Sequence, residues 1–273
     1  MIKLFKILHL LSFDVVLGAI VCNIMFWKLN KTLPIHAFLV VVILGFSVWI
    51  IYILDRLLDN QKVDNHPTER HIFHQQNALV LWYFIGLLML ICSILVFYLP
   101  ANIIIFGIII TLFTGIYLLV VSKISYKNNL QHYKEPITSF VYVSAVFGTT
   151  ILHNPHIISL IIGFIFLLIV FQNLLLFSLM EFKKNTNYYN LAEYFGIKKS
   201  NNVIIFITFL IVILGYYSLH FSASNYQNNV VIIEILMSIF LLVINLFDNY
   251  FLVNDRYRWV GDSIFLLPLL IIL

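Results

Sequence analysis

The sequence predicts an all-α bundle of about nine transmembrane helices with a cytoplasmic N-terminus, and three observations lead there. Hydrophobic residues fill 62% of the 273 positions and charged residues only 10%, and the mean hydropathy is +1.00, outside the range of a water-soluble domain. Apolar runs of roughly 18 to 25 residues recur from end to end, each long enough to cross a hydrocarbon layer of about 30 Å as a helix. Lysine and arginine are shared very unequally among the loops between those runs. The expected setting is therefore the lipid bilayer, as a multi-pass protein, with no nucleic-acid partner.

The first run has Lys3 and Lys6 ahead of it but is too long for a signal-peptide core and lacks a small-residue cleavage site, so it reads as a retained span over 4–26. Further spans are expected at 36–58, 77–99, 101–122, 136–153, 157–181, 202–221, 229–252 and, shortest, 259–273. A cytoplasmic N-terminus then puts Lys3, Lys6, Arg56, Lys62, Arg70, Lys123, Lys127, Lys134, Lys183, Lys184, Lys198, Lys199, Arg256 and Arg258 inside. Only Lys28 and Lys31 remain outside, which supports an odd number of spans. The outer connections, such as Tyr98 to Asn102 and His153 to His156, are tight and nearly uncharged. The polar loops 59–77 and 181–202 face the cytoplasm after the second and sixth spans, a spacing that hints at two similar halves within one membrane domain, 1–273. Cys22 and Cys92 lie inside apolar runs and read as buried thiols.

Chemistry concentrates where the second span ends. Asp55 and Asp59 share one helix face, one turn apart. Two carboxylates so placed repel unless a cation lies between them. Magnesium satisfies such a pair, because it binds through one or two carboxylates and phosphate oxygens while keeping several waters. Arg70, Lys127, Lys134, Lys183 and Lys184 are near enough in sequence to these loops to hold the rest of a diphosphate. The alternative is that both aspartates are solvated groups at a helix end.

These features together resemble the UbiA-type intramembrane aromatic prenyltransferases. That family has nine helices, a cytoplasmic N-terminus and aspartate-rich motifs after the second and sixth helices. The first motif, N-D-x-x-D-x-x-x-D, is similar to Ile51-Tyr52-x-x-Asp55-x-x-x-Asp59, and Thr68-Glu69-Arg70 resembles the T-x-x-R element that follows it. The second, D-x-x-x-D, maps onto Glu181-Phe182-Lys183-Lys184-Asn185, with one carboxylate retained. Lys127 to Pro136, followed by Ser144 to Gly148, is similar to the family's basic loop and small-residue helix. The resemblance implies transfer of an isoprenoid from a prenyl diphosphate to a small aromatic or lipidic acceptor. It implies Asp55, Asp59 and Glu181 as catalytic magnesium ligands, and Arg70, Lys127, Lys134, Lys183 and Asn185 as substrate contacts. The missing Asn-Asp pair and the thinner second motif supply fewer ligands, so that a single metal on Asp55 and Asp59, with Glu181 across the cavity, is better supplied than a strict two-metal arrangement, and the resemblance leaves one metal or two open.

Other residues carry competing readings. His71 and His74 are three apart, a spacing that suits a transition metal on a helix and raises a metal-dependent membrane oxidase as an alternative. The remaining histidines are scattered, which favours ordinary polar loop histidines. Asp14 within the first span lines a cavity with Asn23, Gln172 and Asn173, or is a hydrogen-bonded structural acid. Asp14 and Glu234 would matter most in a non-catalytic or transporter-like relative. Glu234 is expected near the outer end of the eighth span, and Asp248, Asp255, Arg256, Arg258 and Asp262 are expected to pair among themselves around the last inner loop.

Overall fold

A computed structural model describes residues 7–30, 33–59, 69–123, 129–153, 155–185 and 189–273, and every extended element among them is a helix. The helices are α1 Phe13–Trp27, α2 Ala37–Asp59, α3 Glu69–Gln76, α4 Ala78–Val96, α5 Ala101–Lys123, α6 Lys134–His153 and α7 Ile157–Lys184. They continue with α8 Leu191–Phe195, α9 Ile197–Phe221, α10 Asn225–Leu246, α11 Asp248–Leu252, α12 Arg256–Ser263 and α13 Leu269–Ile272. Among the described residues, 7 helices are long and apolar enough to cross a membrane: α2, α4, α5, α6 with the 3-10 turn before it, α7, α9 and α10.

The first and last expected spans are realised in pieces. Residues 7–10 are helical, but Ser12 adopts φ 55° and breaks the run, so α1 has only 15 residues. The final stretch is divided into α12, a 3-10 turn over Ile264–Leu266 and α13. Before it, Asn254 and Asp255 both have φ 54°, a left-handed conformation that asparagine and aspartate adopt more readily than other side chains do. A hydropathy window has no access to these backbone reversals.

Contacts divide the chain into two compact units, one drawn from Met1–Ile20 and Leu33–Lys123, the other from Val21–Thr32 and Ile124–Leu273. In the first, Ile53 and Leu57 of α2 pack with Leu81 and Ile85 of α4, flanked by Leu11, Trp49 and Phe84. Trp49 links this core to the chain before α1, donating from Nε1 to the Leu11 carbonyl at 3.1 Å and meeting the Phe13 and Phe84 rings. Only 17% of the α4 and α5 spans is buried within the protein, so both present most of their apolar surface to lipid.

The second unit is built around α7, whose span is 56% buried. In lipid the hydrophobic effect does not drive helices together, so close packing and hydrogen bonds must do it. Both are present. Gly163 of α7 admits the Phe147 ring of α6, and Gly215 of α9 admits Ile235 and Val231 of α10. The buried Gln172 amide joins three helices: its Nε2 donates to Thr208 Oγ1 of α9 at 2.9 Å, while its Oε1 accepts from Ser238 Oγ of α10 at 2.8 Å. Glu234 sits in the tenth position of the 22-residue α10, fully buried rather than near the outer end.

Candidate functional site

α2 carries Asp55 and Asp59 in its last two turns, in the register expected from the sequence. Apolar Ile53 and Leu57 alternate with them and are buried in the first unit's core, while Asp55 is half-buried. The Asp59 side chain lies outside the described part of the structure, as do Lys127, Thr68 and the side chains of Arg70 and His71. Arg70 falls in the first turn of α3. His74, on the same short helix, is buried with its ring edge-on to Phe73. Among the described residues, no three His, Cys, Asp or Glu side chains converge closely enough to hold a metal ion.

Asp14, expected within a continuous first span, instead occupies the first turn of α1 after the Ser12 break. Its Oδ2 lies 2.6 Å from His9 Nδ1 and its Oδ1 accepts from the Val15 N–H at 3.1 Å. Asn23, in the second unit, donates from Nδ2 to the Val146 carbonyl at 2.5 Å.

The polar end of α7 is stitched to the segment after α10. Lys183 Nζ donates to Asp248 Oδ2 at 2.7 Å, Lys184 pairs with Asp255, and the Arg258 guanidinium pairs with Glu181. Asp248, Asp255 and Arg258 therefore reach across to α7 rather than pairing only among themselves. The hydrogen bond from Lys183 holds the Asp248 carboxyl below the usual carboxylate range. Tyr257 is buried between α7 and α12, and that burial pushes its phenol upward. Asn185 ends α7 in an extended conformation, its N–H donating to the Glu181 carbonyl at 3.0 Å. Asn173, two and a quarter turns before Glu181, is buried with an unpaired Oδ1.

A neighbouring polar knot joins α6, α7 and α8, and sequence reading missed its centre, Glu135. Glu135 Oε1 accepts from the Leu191 N–H at 3.3 Å, and Oε2 is buried without a partner. Ser178 Oγ accepts from the Ala192 N–H at 3.1 Å, and Asn190 caps α8 by accepting from the Glu193 N–H at 3.0 Å. His132 Nε2 lies 3.0 Å from Glu193 Oε2. The acid in the first turn of a helix after a basic loop was the available signal for Glu135. Lys134 begins the same helix. A cavity of about 590 Å³ opens at the α8–α9 junction, lined by Tyr194, Phe195, Lys199, Asn202 and Val203, none of them acidic.

No protein-family model and no curated protein matches the chain. A solved structure of a digeranylgeranylglyceryl phosphate synthase in membranes does match, with a TM-score of 0.56 and 17% identity, covering 99% of this chain and 98% of that one. At that identity the match speaks for architecture. The chain is a multi-pass helical membrane protein that shares the fold of that membrane synthase.

Proposed function

We propose that the protein transfers an isoprenoid from a prenyl diphosphate to a small aromatic or lipidic acceptor at the cytoplasmic ends of its helices, with magnesium. The observation that carries this reading is the placement of Asp55 and Asp59 one turn apart at the end of α2, within a fold matched along almost the whole chain. Their four-residue spacing puts both positions on one helix face, a register that suits one divalent ion. Glu181 fits less well, because its carboxylate is already engaged by Arg258.

When bound, magnesium would neutralise the diphosphate and lower the energy of its departure. Asp55 and Asp59 would hold the metal, and Arg70, in the first turn of α3, would add a guanidinium able to grip phosphate oxygens in pairs. The apolar walls of the bundle accommodate the isoprenoid tail and keep water from the carbon that loses the diphosphate. Thermal unfolding of the detergent-purified chain with geranylgeranyl diphosphate, with and without magnesium, tests the reading. A ligand at a hundred times its dissociation constant adds about 2.7 kcal/mol. The rise should require magnesium and vanish in Asp55→Asn and Asp59→Asn; a rise that survives both substitutions refutes it.

A further inference from the structure

The last three turns of α7 present a stripe to α12. Asn173, Phe177 and Glu181 recur at four-residue intervals and so line one face of the helix. Running antiparallel along that face, α12 sets Gly261 against Asn173 and Phe177, the Tyr257 ring 5.6 Å from Phe177, and the Arg258 guanidinium on Glu181. Beyond this lies the Lys184 to Asp255 pair, with Lys184 also 5.9 Å from the Tyr257 ring. Glu181 therefore completes a packed seam.

Arg258 is held in that position by more than one contact. Its Nε donates to Tyr257 Oη at 3.2 Å, and its guanidinium lies 5.6 Å from the Tyr257 ring centre. The Arg258 and Glu181 side chains are 23% and 27% exposed, so water screens their attraction only partly. A magnesium ion would have to shed tightly held water and displace this guanidinium to reach Glu181, and among the described residues no three His, Cys, Asp or Glu side chains group closely enough to help hold it. The flanking carboxylates are similarly engaged, Asp248 by Lys183 and Asp255 by Lys184.

We propose that Arg258 is the resident counter-ion of Glu181, standing where the resemblance places a divalent metal, and that the chain binds a single divalent ion. This rests on the proposed function, since that ion is the one assigned to Asp55 and Asp59. Arg258 is a positioning residue, fixing α12 on the end of α7 and withholding Glu181 from metal.

Manganese, a spectroscopic substitute for magnesium, tests this by counting. Electron paramagnetic resonance of the full chain with saturating geranylgeranyl diphosphate should find one bound ion per chain. Glu181→Gln should leave that count unchanged, and Asp55→Asn should abolish it. Because Glu181→Gln strands a guanidinium, the double variant Glu181→Gln/Arg258→Gln should give the same count with neither charge present. Arg258→Gln alone should create a second, weaker manganese site that the double variant removes, an effect that a purely structural arginine would not produce. Two ions on the unaltered chain, one of them lost in Glu181→Gln, overturn the inference while sparing the proposed function. No second site in Arg258→Gln overturns it likewise, and no bound ion at all overturns both.

Discussion

Gly261 lies so close to Asn173 that a methyl group added at the glycine would stand 2.9 Å from the asparagine Oδ1 and 2.6 Å from the Phe177 ring. The contact fixes how near α12 comes to α7.

Gly261→Ala should therefore destabilise the protein by about 1–3 kcal/mol, the usual cost of overpacking a close helix contact. Gly107→Ala is the control, because Gly107 on α5 has nothing within 4 Å of an added methyl, and alanine favours the helix by about 1 kcal/mol. Thermal melts of the two variants in one detergent should move in opposite directions.

The Lys183 to Asp248 pair gives a pH signature. The Asp248 carboxyl is held below its ordinary value, so its contribution is fully present above the unfolded value of about 3.9 and is lost as pH falls through the folded one. Asp248→Asn should be less stable than the unaltered chain at neutral pH, and the gap should close below about pH 4. A melting series from pH 7 to pH 3 reads both limbs.

Gln172 ties α7 to α9 and α10 through one amide. Gln172→Leu should cost about 0.6–2 kcal/mol, the range for interhelical hydrogen bonds in membranes. Gln172→Ala should cost more, since it adds a cavity to the lost bonds. Unfolding in a graded denaturing detergent ranks the two.

His9 and Asp14 meet at 2.6 Å across the Ser12 break. His9→Phe and Asp14→Asn should each lower the melting temperature, and the double variant should fall short of their sum, as residues in contact do. Strict additivity would mean that the pair contributes nothing.

Much of the fold was legible because span length and hydropathy report directly on helices that cross lipid. The first segment was misjudged at Ser12, which takes positive φ, and the last at the 3-10 turn over Ile264–Leu266, local backbone choices that apolar content does not encode. The register of Asp55 and Asp59 followed from helical periodicity alone. The partners of Glu181 and Lys183 did not, because they lie 77 and 65 residues away and are chosen by the packing of α12 and α11 against α7. Glu234 was placed too near a helix end because α10 begins at Asn225 rather than at 229.

The two broken segments are also joined to each other. Cys22 Sγ donates to the Phe265 carbonyl at 3.4 Å and Lys28 Nζ to the Ile272 carbonyl at 2.6 Å, across separations of 243 and 244 residues. At 15 residues, α1 reaches only about 22 Å, short of a hydrocarbon core of about 30 Å. α1 thus finds these partners only after Phe265 and Ile272 have been made. A chain stalled before Phe265 would leave α1 without these closing contacts, open to membrane quality control.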